Sequence, residues 1–236
     1  MISSIPKWAN NLFGSTMRPN VKVVEIACIS AQIKKIRFQS DISKWNFQIG
    51  YASVIRVSET EFRNYTVAYY DINEGFFEMI FHIHGNGVGS KFVNNLKLGD
   101  QIFISPPRGQ NFYKPNIKKQ FVFGDETSLG LACSFFPFFA QNQHQFQFYF
   151  ELDEENKDVP ELLGLKNCIV LPKNGLFGNE ECIDDLPVLQ APEWQSASFI
   201  LTGNVTSVLA FRKIIKSTTQ GQINSQGYWL QGKMGL

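Results

Sequence analysis

Cysteine is scarce in this 236-residue chain: the four residues Cys28, Cys133, Cys168 and Cys182 stand far apart. There is no C-x-x-C and no cysteine/histidine pair at metal-ligand spacing, so neither a zinc site nor an iron–sulfur cluster within the chain is expected. Each cysteine reads as a small buried hydrophobe. Charge of one sign is also missing. With Lys+Arg of 22 against Asp+Glu of 21, the net charge is +1, which removes any global attraction to nucleic acid or an anionic membrane. Long apolar runs are absent too: the longest, Leu129 to Ala140, is broken by Ser134 and Pro137 and cannot cross a bilayer. Residues 1–14 carry one lysine and no sustained apolar stretch, so no signal peptide is expected and the protein is placed in the cytoplasm. Finally, there is no G-x-G-x-x-G, which argues against the fingerprint of a true Rossmann dehydrogenase.

What the chain does have is core-forming material: a hydrophobic content of 44% and 22 phenylalanines, enough for one large or two modest domains. Within it, Phe62-Arg63-Asn64-Tyr65-Thr66-Val67 puts an arginine, a phenol and a hydroxyl within one β-prone run. The pleat of a strand sends Arg63 and Tyr65 to one face and Thr66 to the other. A guanidinium can grip a diphosphate bidentately, and a phenol ring can lie against a planar heterocycle whose edge Thr66 can hydrogen-bond. A flat anionic cofactor such as FAD fits that set, although any amphipathic strand with an exposed arginine has the same spacing.

Residues 1–14 have the pattern of a short amphipathic helix with Ile5, Trp8, Leu12 and Phe13 on one side. Strands are expected at 21–30, 34–39, 51–57, 63–71 and 76–83, the last two joined by the turn Asn73-Glu74-Gly75, and again at 101–105 after Leu98-Gly99-Asp100. Short strands with frequent turns and little helix predict an antiparallel β-barrel over residues 1–115. From there the pattern changes. Strands at 118–123, 145–150, 168–171, 198–202 and 223–230, with a helix at 204–216, predict a doubly wound α/β domain over 116–236. Ligands of such sheets bind beyond the carboxyl ends of the strands, here at Gly124-Asp125-Glu126-Thr127. That stretch also has the form of an ordinary helix start, with Asp125 or Thr127 as cap, and the two roles are compatible.

Arg63-Asn64-Tyr65-Thr66, His84-Gly85-Asn86-Gly87-Val88-Gly89-Ser90, Leu98-Gly99-Asp100, Pro107-Arg108-Gly109, Gly124-Asp125-Glu126-Thr127 and Gly227-Tyr228-Trp229 follow one another in a familiar order. In this the chain resembles the siderophore-interacting protein family, FAD-containing ferric-siderophore reductases of the ferredoxin-reductase-like superfamily. The resemblance implies a flavin-binding barrel followed by an NAD(P)-binding-like domain. Arg63 would hold the diphosphate, Tyr65 would stack on the isoalloxazine and Thr66 would bond near N5. His84, Gly87, Gly89 and Ser90 would make a second diphosphate contact, with Ser90 opening a helix. His82 and His84 share a face, and only the family pattern favours His84. Asp125, Glu126 and Thr127 would lie at the nicotinamide end of the NAD(P)H site. Tyr228 and Trp229 would flank the flavin or substrate pocket, or simply pack in a terminal strand.

In the chemistry so implied, hydride from NAD(P)H, or electrons from a reduced ferredoxin, reach the flavin and then the Fe³⁺ of a ferric siderophore or other ferric chelate. The flavin performs the reaction, so no catalytic side chain is assigned; a monomer is expected. Departures from the family pattern are Ala68 for arginine, Val88-Gly89-Ser90 for Pro-Ala-Ser, Phe92 for Trp, Asn204 for an acid, Leu230 and Gln231 for arginines, and no Pro-Gly-Gln between Phe47 and Val57. They remove positive charge or rigidity and leave open a flavin- or siderophore-binding module without reductase activity, or a general NAD(P)H:flavin oxidoreductase. Lys118, Lys119, Arg212, Lys213, Lys216 and Lys233 are candidates for an anionic substrate, each also readable as solvated surface.

Overall fold

A computed structural model describes residues 4, 17–175, 177 and 180–233. The helix expected over residues 1–14 lies outside the described residues, Ser4 apart. The chain divides into two compact units, the first ending at Asn111 and the second beginning at Phe112.

The first unit is an antiparallel, nearly closed six-stranded barrel. Its strands are β1 (Val21–Cys28), β2 (Ile33–Gln39), β3 (Ala52–Arg56), β4 (Phe62–Asp71), β5 (Phe76–His82) and β6 (Gln101–Ile102), with helix α1 (Val88–Asn95) before β6. They pair in the order β3-β4-β5-β2-β1-β6. Closure is left to the segment after β6, where Ile104 and Arg108 bridge Ile55 and Ala52 of β3. The strand expected to reach Ser105 stops at Ile102, where pairing with β1 ends at Val21; beyond it the chain turns to β3, the Ser105 N–H donating to the Val54 carbonyl at 2.9 Å. The Asn20 side chain supplies a substitute: its amide donates to the Ile104 carbonyl at 2.8 Å and its oxygen accepts from the Ile104 N–H at 2.9 Å. The expected hairpin turn is present, with the Asp71 carboxylate accepting from the N–H groups of Asn73 and Glu74 at 2.9 and 3.1 Å and Gly75 at φ +70°. Val23, Ile36, Phe38, Val67, Phe77 and Met79 fill the interior.

In the second unit five parallel strands alternate with helices: β7 (Lys119–Gly124), α2 (Leu129–Gln141), β8 (Gln145–Leu152), α3 (Val159–Leu162), β9 (Cys168–Pro172), α4 (Glu180–Asp184), α5 (Pro187–Gln190), β10 (Ser198–Asn204), α6 (Val205–Thr218) and β11 (Gln222–Trp229). The order is β11-β10-β7-β8-β9, doubly wound about β7. The inner strands are buried on both faces, which is why they read as near-continuous apolar runs such as Gln120 to Gly124 and Phe148 to Leu152. The unit begins before Pro115 because Tyr113 belongs to its core. The phenol oxygen lies 2.8 Å from His144 Nε2, and the ring sits against Phe135, Phe138 and Phe139. Helix α2 continues through Pro137, since burial of Leu129, Leu131, Ala132, Phe135 and Phe139 outweighs the roughly 3 kcal/mol that an internal proline costs.

One buried acid in this unit makes stability depend on pH. Glu151 of β8 accepts a hydrogen bond from Ser207 of α6 at 2.8 Å. Burial pushes its carboxyl above the ordinary range, and the Ser207 bond only partly opposes this. A carboxyl raised in the folded state contributes most below its unfolded pKa and loses that contribution as pH rises through the folded value. Glu151→Gln, which keeps an acceptor for Ser207, is therefore expected to be more stable than the parent at pH 7–8. The advantage should vanish below about pH 4, where an unfolded glutamate is protonated as well; urea unfolding across that range checks it.

Candidate functional site

In the first unit the expected cofactor residues converge on the start of α1. Gly87 is the cap and the helix begins at Val88, so it opens before Ser90, not at it. The Ser90 hydroxyl is buried and turned back to accept the N–H of His84 at 2.7 Å, which fixes the Gly85–Gly87 loop. The rings of His82 and His84 lie side by side, centroids 5.0 Å apart, as their shared face implied. Gly89 rests directly on β4: a Cβ there would come within 2.7 Å of Tyr65 Oη and 3.0 Å of Arg63 Cγ. The Arg63 guanidinium donates to the Phe62 carbonyl at 2.8 Å and to the Glu61 carboxylate at 3.2 Å. Tyr65 meets Phe81 edge-on at 4.6 Å, and its phenol is pushed up to about 12 by burial, against the pull of Arg63, so it stays protonated at physiological pH. Thr66 lies opposite Ala52 of β3.

The first-turn amides of α1 have no carbonyl partners within the helix, and no acidic residue stands in that turn. Arg63 beside a glycine-floored helix N-terminus fits the diphosphate of a dinucleotide.

In the second unit the Asp125-Glu126 pair sits at the carboxyl end of the central strand, and both carboxylates point inward. Asp125 Oδ1 accepts from the Thr127 N–H at 2.8 Å and from its hydroxyl; Oδ2 accepts from the N–H of Asn204, the last residue of β10, at 2.8 Å and from the indole of Trp229, the last residue of β11, at 2.6 Å. Glu126 serves the other side. Its Oε1 accepts from the Asp153 N–H after β8 at 2.7 Å and its Oε2 pairs with Lys173 after β9 at 2.6 Å. Each residue is 1% exposed. Burial pushes the Asp125 carboxyl up, while Thr127, Lys173 and Trp229 pull it down. Desolvation lowers the Lys173 ammonium, but its bond to Glu126 and the surrounding carboxylates outweigh this and hold it above the usual lysine value. Gly203, at φ +103°, lets the chain pass close: a Cβ there would lie 2.6 Å from Asp125 Oδ2. Asp125 also caps the turn Glu126–Ser128, so the helix-start reading holds.

These side chains are thus occupied in fixing the sheet edge, and a ligand there would meet backbone and Thr127 rather than either carboxylate. Trp229 packs within the unit through its indole bond to Asp125, with Lys173 5.3 Å above its ring. Lys173 and Gly203 carried no local sequence signal, since their partners are distant in the chain. Asn204, a departure from the family pattern, caps α6 by accepting from the Thr206 N–H at 2.8 Å. Of the candidate basic residues, Arg212, Lys213 and Lys216 share α6 and Lys119 opens β7: Lys213 is held by Glu180 at 2.6 Å, Arg212 donates to Ser225 at 3.3 Å and Lys119 lies over Trp194.

Residues 20–113 match the family model described as an oxidoreductase FAD-binding domain. The siderophore-interacting protein of Aeromonas hydrophila superposes with a TM-score of 0.73 at 20% identity, over 92% of this chain and 93% of that one. The fold is that of the siderophore-interacting proteins. The siderophore utilization protein of T. fusca, at TM-score 0.72 and 18% identity over 93% and 97% of the two chains, has the same fold, as does the ferredoxin reductase of a carbazole 1,9a-dioxygenase, at TM-score 0.71 and 17% identity over 89% and 69%. Curated sequences are similar over a shorter stretch. NADH-cytochrome b5 reductase 1 of Dictyostelium discoideum is 33% identical over 58 residues, and that of Mycosarcoma maydis 31% over 61. These stretches are 25% and 26% of this chain and only 20% and 19% of those proteins. Among the described residues no helix is long and apolar enough to cross a membrane.

Two substitutions test the site. Gly89→Ala drives a methyl into Tyr65 Oη; the clash should exceed the gain in helix propensity of about 1 kcal/mol and destabilise by about 1–3 kcal/mol. Tyr65→Phe, which removes the obstructing oxygen, should recover part of that loss in a double-mutant cycle. Glu126→Gln leaves Lys173 short of its buried counter-charge and should cost about 3 kcal/mol in urea unfolding, the low end for breaking a buried pair because Asp153 lies near.

Proposed function

We propose that the chain is a cytoplasmic flavoprotein reductase that takes electrons from NAD(P)H and delivers them to ferric iron in a siderophore or other ferric chelate. The observation that carries this reading is the likeness to siderophore-interacting proteins over nearly the whole chain, joined to the FAD-binding match of its first unit. On this reading residues 1–115 hold FAD and residues 116–236 receive the nicotinamide dinucleotide. Bound FAD would supply the step from two-electron hydride acceptance to single-electron donation, and the ferric chelate is substrate.

The protein's own part is placement and charge. Arg63 and the amide end of α1 hold the diphosphate, His84 and Ser90 fix the adjoining loop, and Tyr65, protonated, offers a ring and a neutral donor. Gly124 to Thr127 and Gly203 keep the carboxyl edge of the second sheet open and fixed for the dinucleotide. Hard oxygen ligands hold Fe³⁺ far more tightly than Fe²⁺, so reduction suffices to release the metal. A flavin-binding module without turnover is the second reading, supported by Ala68 and by the Glu61 carboxylate that already engages Arg63.

The visible spectrum of the purified protein decides between them. After FAD addition and desalting, two flavin bands should persist, bleach with anaerobic NADH or NADPH, and return on addition of a ferric chelate. Bands that never bleach with either donor would leave the binding module or a ferredoxin donor, and bleaching that only free flavin reverses would mark a general flavin reductase.

A further inference from the structure

Beyond the carboxyl ends of β8 and β9 the second unit has a cleft of about 340 Å³, within the range of small-ligand sites. Its walls are Leu152, Val170 and Pro172, its rim Glu154, Lys157 and Asp158. In doubly wound sheets a dinucleotide lies along this edge. In sheets with the glycine-rich fingerprint, which this chain lacks, an acid beyond a strand end takes the free ribose 2′-hydroxyl and a basic residue takes a 2′-phosphate; the same chemistry applies wherever such a residue lines the ribose. Here β8 is the strand that follows β7 in sequence, and the chain leaving it is acidic: Asp153, Glu154, Glu155 and Asp158 flank the single cation Lys157 along the sequence. That cation is already spent, its ammonium 2.6 Å from Glu154. Lys173, at the end of β9, is likewise bound to Glu126 and faces Asp153 at 3.9 Å.

We infer that this cleft takes the adenosine half of the dinucleotide and that its acidic rim makes the protein selective for NADH over NADPH. The apolar walls suit a planar base. The carboxylates of Glu154 and Asp158 are acceptors, which a ribose diol can satisfy with two donors and a phosphate cannot. A 2′-phosphate would add about two negative charges beside carboxylates whose one neighbouring lysine is committed. Glu154 acts twice, as an acceptor and as the group that withholds Lys157. The inference rests on the proposal that the second unit receives a nicotinamide dinucleotide, and it adds which one and by which residues.

Binding of ADP-ribose and 2′-phospho-ADP-ribose to the full chain, measured by calorimetry, tests this without flavin or turnover, since neither probe has a reducible ring. ADP-ribose should bind at least about tenfold more tightly, and raising the salt concentration should narrow the gap. Glu154→Gln frees Lys157 and should tighten the 2′-phospho ligand about tenfold while weakening ADP-ribose, which loses a charged acceptor, by about three- to tenfold; adding Lys157→Ala should reverse the gain of the 2′-phospho ligand. Both positions are exposed, and circular dichroism checks that the variants fold. Equal or tighter binding of the 2′-phospho ligand, or a preference that Glu154→Gln leaves unmoved, overturns the selectivity and leaves the dinucleotide reading standing. If neither ligand nor NADH binds at millimolar concentration, the reading of the second unit fails and this inference fails with it.

Discussion

A parallel sheet pairs its strands along their length but leaves their carboxyl ends to splay, because each strand departs there into a loop. In this protein two adjacent acids close that edge. Asp125 reaches one way to the ends of β10 and β11, and Glu126 reaches the other way to the residues after β8 and β9. The central strand thus holds the termini of the other four. Burying two carboxylates is costly, and the structure offsets the cost with donors from backbone, indole, hydroxyl and one ammonium. It also accepts a backbone constraint: Gly203 at φ +103° is the close approach that lets the Asn204 N–H reach Asp125.

That arrangement bears on function through rigidity. A binding edge made of loops would have to be ordered each time a ligand arrived, and the ordering would be subtracted from affinity. Here the ordering is done by charge-assisted bonds within the unit, so the backbone of Gly124 to Thr127 is presented in one geometry. The first unit solves a similar problem differently. Its loop before α1 is fixed by the Ser90 hydroxyl, and the helix is pressed against Arg63 and Tyr65 by a residue with no side chain. In both units glycine marks where two pieces of chain touch, which differs from marking where the chain bends.

Much of this could be read from the sequence, and the rest could not, for physical reasons. Alternation and turn residues located the barrel strands, because a half-buried antiparallel strand writes its two faces into every second residue. Gln101 to Ser105 went too far because alternation does not register which strand is the partner: pairing with β1 ends at Ile102, and Ile104 and Ser105 pair with β3 instead. Ser90 was placed at the head of its helix by the family resemblance; Gly87 caps instead, and the serine hydroxyl accepts from the His84 N–H. Asp125 and Glu126 were legible as a loop after a strand. Their inward direction was not, because the partners Asp153, Lys173, Asn204 and Trp229 lie far along the chain and carry no local pattern pointing back.

The two units also treat negative charge in opposite ways. Around the start of α1, Arg63, unpaired helix amides and the absence of acids in the first turn favour an anion. Around the ends of β8 and β9, every nearby lysine is paired with a carboxylate and further carboxylates stand on the rim. A net charge of +1 does not register this division, because it sums over the whole chain. A dinucleotide is itself uneven, with its charge on the diphosphate and two largely neutral ends, so a protein of the proposed kind, which would handle two of them, gains nothing from a uniformly basic surface. It needs positive potential at the phosphates alone, and elsewhere it can use carboxylates to choose between ribose hydroxyl and ribose phosphate.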